Sequence, residues 1–408
     1  MTITAPPLIA SRETAVATAR AFAQRIAGGV IERDRTGSLP VLEMADFDAS
    51  GLLSITIPRD QGGGGLSPAV LADVVRTIAA IDPAVAQSAQ GHYLFLDVVL
   101  AFGSHEQQQR LLADALCGRR IANALAERGT ANAQDLKTRL TGWSEQQPTT
   151  TAAPRLQGRK YYATGALTAA WIAITALDDD GTLILAFVRR DADGVTLDKD
   201  WDTMGQRATV SGGVTLEDVE VEPELVLPYA QCFQVPQQLG ARAQLYHAAL
   251  QVGIARGALD DAKLYLETRA RPFFEAARAG WAEKAADDPH TIHRFGQMAT
   301  RVAAAEALLQ EAATTLGEIG LIPADADAAA RGSVAVAAAK AFASEVAVGV
   351  ASDLFALTGA SAADRRHDLD RHWRNARTHA SHDPADWKFH HVGNYLLNGT
   401  LPPNHGQL

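Results

Sequence analysis

The sequence predicts an α+β protein in three parts: a helical domain over residues 1–118, a mainly antiparallel β domain over 119–230, and a four-helix-bundle-like domain over 231–408. Three observations carry this expectation. Alanine-rich segments with three-four apolar spacing fill the first part. From about Ile121 the apolar pattern shortens to alternating runs. After Pro236 the helical period returns and holds nearly to the end. A chain of 408 residues is also longer than a single compact core usually supports.

Residues 8–118 read as helices separated by breakers: Gly28-Gly29, Pro58, the run Gly62 to Gly65, and Asp82-Pro83. Ser67-Pro68 is a helix start, with serine as N-cap and proline at the first helical position. Val70, Leu71, Val74, Val75 and Ile78 then follow at the spacing of one buried face. In the middle part, residues 156–165 read as a turn followed by a short strand. The apolar runs 171–177 and 182–188 flank Asp178-Asp-Asp-Gly181, a hairpin signal. Residues 213–221 alternate with period two.

In the last part Leu245, Ala248, Ala249, Val252, Leu259 and Leu266 form one stripe. Arg256/Asp260 and Lys263/Glu267 lie opposite as i, i+4 charge pairs. A second long helix carries Ile292, Phe295, Ala299, Val302, Leu309 and Leu316, and a third runs over 333–357 to a C-cap at Gly359. Three long apolar-striped helices point to a homo-oligomer, a tetramer or a dimer.

Lysine and arginine number 37 against 47 aspartates and glutamates, a net charge of −10. That balance speaks against nucleic acid as a partner, although Arg365, Arg366, Arg371, Arg374 and Arg377 form a local basic cluster. The two cysteines, Cys117 and Cys232, make neither a disulfide framework nor a zinc set and suit a reducing cytoplasm. The first residues lack the apolar run of a signal peptide, and no stretch reads as the ~18 apolar residues of a membrane span. The expectation is a cytoplasmic protein with no membrane partner.

Local signals are weak when read alone. The run Gln61-Gly-Gly-Gly-Gly-Leu66 lacks the Gly-Lys-Ser/Thr ending of a phosphate loop and reads as an interhelical loop. Six histidines lie between His367 and His391. His379 and His382 stand three apart beside Asp383, but Asp383-Pro384 breaks any helix there and no His-Glu-x-x-His spacing is present. A catalytic or surface role suits them better than a metal site, and no metal is expected. Trp201 on a polar turn is a weak pointer to a flat aromatic ligand. His92, alone in an apolar helix, reads first as a core histidine.

The order of these segments and their words resembles the acyl-CoA dehydrogenase superfamily over nearly the whole chain. The words are Gly158-Arg-Lys160-Tyr-Tyr-Ala-Thr164-Gly-Ala, Met204-Gly-Gln-Arg207, Glu217-Asp-Val-Glu-Val221 and the loop from Pro58 to Gly65. Within it, Asp200-Trp201, Thr268-Arg-Ala-Arg-Pro272, the segment 370–379, His382-Asp-Pro384 with Lys388, and Asn398-Gly399 resemble the reduced-flavin monooxygenases acting on organosulfur compounds. These include the dibenzothiophene monooxygenases and the sulfur-acquisition oxidoreductases.

Two departures from the dehydrogenases point the same way. Where those enzymes carry a Tyr-Glu-Gly base segment, this chain has His382-Asp383-Pro384. Around their Thr-Glu-Pro word it keeps Glu127 and Asp135 but has Ala126 and Arg128.

The resemblance implies reduced FMN, supplied by an NAD(P)H-dependent flavin reductase, and O2. These would form a C4a-hydroperoxyflavin that oxygenates a small organosulfur or related heteroatom compound. It implies that Thr164 bonds the flavin N5/O4 edge and that Trp201 packs along the ring. Backbone groups around Asn123, Ala124 and Leu125 would meet the pyrimidine end, and Arg271 would grip the phosphate. His382 and His92 would face C4a, and Asp383 would orient His382 or bind the flavin edge. Two alternatives stay open: an FAD-dependent acyl-CoA dehydrogenase with a relocated base, and a non-catalytic flavin-loaded binding protein.

Overall fold

The protein is described by a computed structural model covering residues 5–132, 135–145 and 153–406. The first part holds α1 (Arg12–Ile26), α2 (Val30–Thr36), α3 (Val41–Ala49), α4 (Pro68–Ala79), α5 (Pro83–Gln87), α6 (Gln90–Phe102) and α7 (His105–Leu116). Their starts follow from local chemistry. Pro68 occupies the first position of α4 after an extended Ser67, although the Ser67 hydroxyl makes no cap bond. Asp82 caps α5 by accepting from the N–H groups of Ala84 and Val85. Ser104 and Gln107 form a reciprocal capping box on α7.

The middle part is a sheet of β1 (Ile121–Ala124), β2 (Arg139–Thr141), β3 (Arg155–Lys160), β4 (Trp171–Leu177), β5 (Leu183–Arg189), β6 (Val195–Leu197), β7 (Val214–Glu220) and β8 (Val226–Leu227). The order is β6-β7-β3-β2-β4-β5-β8, with β1 also along β4. β1 and β2 run parallel to β4, and the other pairs are antiparallel. Asp178 closes the β4–β5 turn by accepting from the N–H groups of Asp180 and Thr182. The reading of 156–165 as turn then strand is reversed: β3 comes first and a loop follows. Tyr162 and Gly165 stand at positive φ in that loop, which ends the ladder.

The last part contains α8 (Leu239–Thr268), α9 (Phe274–Arg278), α10 (Pro289–Ile319), α11 (Ala326–Thr358), α12 (Asp370–Ala380) and α13 (Ala385–Asn398). α8 is buried along most of its length and shares one core with α4, α10 and α11. Gly257 allows the close approach of α4, because a Cβ there would stand 2.2 Å from the Ala80 carbonyl oxygen. By length and composition α11 is apolar enough to cross a bilayer, which corrects the expectation that no segment is. Its apolar character has another use here. Its faces pack on α8, α10, α12 and α13, and 61% of its most apolar window is buried.

Candidate active site

The site grows from the loop after β3. Thr164 Oγ1 lies 2.7 Å from Ser211 Oγ, Ser211 donates to Thr209 Oγ1 at 2.9 Å, and Thr209 donates to the Gln206 carbonyl at 2.8 Å. This hydroxyl chain ties the β3 loop to the turn before β7. Gly165 seats the loop on the helical part, since a Cβ there would meet the Ser88 carbonyl oxygen at 2.3 Å. Asn123, near the end of β1, donates from Nδ2 to the Tyr162 carbonyl at 3.1 Å. Trp201 donates from Nε1 to the Gln206 carbonyl at 3.0 Å, and its ring meets that of Tyr162 edge-on at 6.0 Å. Asn123, Thr164 and Trp201 therefore share one neighbourhood.

α12 closes it from the helical side. The Gln206 N–H donates to Asn375 Oδ1 at 2.6 Å. Arg374 donates to the Met204 carbonyl at 3.1 Å, and a Cβ on Gly205 would overlap the Arg374 carbonyl. One turn beyond Asn375 on the same face is His379. α12 runs antiparallel to α8: Asp261 meets His372, Gln251 meets Ala376, and His247 meets His379.

Three imidazoles gather at this end. His247 Nδ1 is 2.9 Å from His379 Nε2, and its ring centroid is 4.4 Å from that of His382. His247 and His379 are buried, while the His382 side chain is 46% exposed. Burial, aided by the neighbouring His382 and Lys340, pushes His379 down to about 3 and His247 well below its ordinary range. Asp383 lies 3.3 Å from His382 Nδ1 and is gripped by Lys340 and by Lys388. Burial opposes its charge, but His382 and the two lysines outweigh this and hold its carboxyl far below the usual range. Burial lowers Lys340 to about 8, against the pull of Asp383.

Several expectations need correction. His92 is a core histidine. Ile121 N–H donates to its Nδ1 at 3.3 Å, so its Nε2 carries the proton and donates to the Leu53 carbonyl at 3.0 Å. With both nitrogens used and the ring wholly buried, it has nothing to offer a ligand, and burial pushes it down to about 3. Ala124 is paired against Ile174, and the Leu125 carbonyl is taken by Thr175 and Lys160. Of the backbone groups expected at the ring, the Leu125 carbonyl is thus spent, while the Asn123 side chain adds an unpartnered Oδ1.

Arg271 is exposed just past α8. Twenty-one residues of helix separate His247 from the end of α8 at Thr268, about 32 Å at 1.5 Å per residue. Arg271 therefore does not join His382 within one protomer.

The site can be tested against a flavin through its own unsatisfied groups. Gln87 Oε1, Asn123 Oδ1, both polar side-chain atoms of Gln206, Gln251 Oε1, Thr378 Oγ1 and His379 Nδ1 are buried without a hydrogen-bond partner. Such orphans are costly and rare in a finished core. Of these, Asn123 Oδ1 and the Gln206 amide lie beside the hydroxyl chain and Trp201, where they fit a flat ring with donors and acceptors along its edge. Among the described residues no three His, Cys, Asp or Glu side chains are placed to hold a metal ion. The sequence reading missed Gln206, His247 and Lys340 as site residues. The available signal was Gln244, His247 and Gln251, polar at helical spacing within an apolar stripe.

Residues 10–119 match the acyl-CoA dehydrogenase N-terminal domain and residues 245–387 its C-terminal domain. Dibenzothiophene monooxygenase from Rhodococcus erythropolis is 32% identical, covering 97% of this chain and 96% of that protein. The chain belongs to the acyl-CoA dehydrogenase family. Within the family it groups with monooxygenases, and it is a flavin-dependent oxidoreductase. The probable FMNH2-dependent monooxygenase SfnC of Pseudomonas putida is 33% identical over 95% of this chain and 96% of that one. FMN-bound TdsC from Paenibacillus sp. A11-2 superposes with a TM-score of 0.89 at 30% identity, covering 97% of this chain and all of TdsC.

Proposed function

We propose that this protein is the oxygenase of a two-component system. It would take reduced FMN from a separate NAD(P)H-dependent flavin reductase and use O2 to oxygenate a small organosulfur compound. The observation that carries the reading is the pair of unpartnered buried amides, Asn123 and Gln206, beside Thr164 and Trp201, with His379 of an imidazole cluster one turn of α12 beyond the Asn375 that holds Gln206.

A bound reduced flavin would supply the two electrons that O2 activation requires. The chain's own residues bind, orient and shield it. Asn123 Oδ1, Gln206 and the Thr164 hydroxyl would meet the polar ring edge, and Trp201 would pack along the ring. His382 would hold or deliver the proton needed beside the oxygen. Asp383, clamped by Lys340 and Lys388, would fix the His382 ring.

The dehydrogenase alternative requires a carboxylate free to take a proton. Asp383 is a poor base because His382 and two lysines stabilise its charge. Asp261, on α8, is committed to Arg371 and His372.

The separation along α8 also bears on assembly. Within one protomer Arg271 is farther from His382 than an FMN phosphate is from its own ring C4a. Arg271 of a second copy would complete the phosphate site, so the working enzyme would be a homo-oligomer.

The test is to mix purified protein with reduced FMN, oxygenated buffer and a panel of thioethers, sulfinates and thiophenes, then to measure oxygenated product and hydrogen peroxide. Oxygenated product is expected. Reduction of a dye by acyl-CoA in its place overturns the reading.

A further inference from the structure

Along its buried length α8 is mainly apolar, and part of its polar content is regularly spaced. Gln244, His247 and Gln251 stand at i, i+3 and i+7, on one stripe of the helix, and all three are buried. Each reaches the segment that carries His382. Gln244 accepts from Lys340, Lys340 grips Asp383, and Asp383 meets His382. Gln251 donates to the Ala376 carbonyl at 3.3 Å. His247 is bonded to His379 and lies against the His382 ring. A helix that served only to pack would carry apolar side chains here, since each buried polar group must find a partner.

We propose that His247 is a positioning residue: it fixes His379 in the tautomer that presents an Nδ1–H donor to the flavin site, and it braces the ring of His382. This rests on the monooxygenase reading.

Two neutral imidazoles joined by one hydrogen bond have two arrangements. If His379 Nε2 donates to His247, His379 Nδ1 is left as a bare acceptor. If His247 Nδ1 donates, His379 carries its proton on Nδ1. Both rings are neutral, because burial and the neighbouring cations oppose a second charge. His379 Nδ1 is buried and has no partner among the described residues. It sits on the helix whose preceding turn, through Asn375, holds Gln206 beside Trp201. The carbonyl oxygens of a reduced flavin would be acceptors for a donor placed there. The arrangement that satisfies them has His247 donating and His379 Nδ1 protonated.

His247→Phe keeps an aromatic ring and deletes the hydrogen bond, while His247→Asn restores an amide near the Nδ1 position. The yield of oxygenated product per reduced FMN consumed is expected to fall about tenfold in His247→Phe, the effect of one neutral hydrogen bond lost from the transition state. FMN affinity should stay within a few-fold, and His247→Asn should regain most of the yield. In 15N-histidine-labelled protein, the His379 signal, assigned by its loss in His379→Ala, should show Nδ1–H in the wild type and lose that preference in His247→Phe. Should His247→Phe not fold, His247→Gln takes its place, with its amide one bond farther out.

Wild-type yield in His247→Phe, or an unchanged His379 tautomer, overturns the inference. If the wild type oxygenates nothing, the monooxygenase reading falls, and the tautomer measurement still decides this one.

Discussion

Lys160 Nζ lies 2.9 Å from Glu127 Oε1, and the pair is walled off from solvent: the two side chains are 0% and 5% exposed. Glu127 also accepts from the N–H groups of Lys137 and Thr138 and from the Thr138 hydroxyl. Lys160 reaches on to the Leu125 carbonyl. The pair thus anchors the segment after β1, directly behind Asn123.

Removing one member alone leaves a buried charge without its partner. Lys160→Met should destabilise the protein by about 3–5 kcal/mol, and adding Glu127→Gln should recover much of that loss. Burial opposes the Glu127 charge, but Lys160 and Thr138 outweigh it and hold the carboxyl down to about 2, from an ordinary value of 4.5. A depressed carboxyl contributes stability that is fully present above 4.5 and lost as pH falls toward 2. Urea denaturation across that window should show this slope in the wild type and a shallower one in Glu127→Gln.

Arg271→Ala should weaken FMN binding by roughly tenfold to a hundredfold, the loss of a charge-assisted hydrogen bond, and leave riboflavin unaffected. Equal weakening of both would remove Arg271 from the phosphate. Because the proposed site is shared between copies, chains carrying Arg271→Ala and chains carrying His382→Ala should regain activity when mixed in one oligomer. No regain on mixing would place both residues in a single protomer's site.

His382→Ala should bind FMN within a few-fold of wild type and release hydrogen peroxide where the wild type releases oxygenated product. His382 is the exposed member of its imidazole cluster, so its loss removes a proton carrier without emptying the core. Stopped-flow mixing of reduced FMN, enzyme and oxygen, with product analysis, checks this. Oxygenation at the wild-type rate would assign the proton to another group.

Much of the fold was legible in the sequence, because the β4–β5 hairpin and the helices α8, α10 and α11 each repeat one period long enough to be recognised. β3 was misplaced because Lys160, Tyr161 and Tyr162 all suit a strand. Only the backbone reversal at Tyr162 and Gly165 shows where it ends. At the site, Thr164, Trp201 and His382 lie in distinctive words, and the structure brings Thr164 and Trp201 to one loop cluster. His92 and His247 show the limit of the method. Each is a histidine in an apolar helix; Gln244 and Gln251 mark the stripe of His247, but they do not tell that His92 spends both nitrogens on its neighbours while His247 faces two imidazoles. Arg271 shows another limit, since a residue motif gives no distance along a helix.

The Asn375–Gln206 bond separates two inheritances. On the sheet side, Thr164, Trp201 and Gln206 form a holder whose geometry comes from the β3 loop and the turn before β7. On the helical side, the residues just beyond α12 place His382 and Asp383 on a short segment ended by Pro384. A lineage can exchange that segment, glutamate for histidine, while the seam at Asn375 and the holder stay as they are. One scaffold can in this way change the side chains it presents at that end while the loop cluster around Thr164 and Trp201 keeps its geometry.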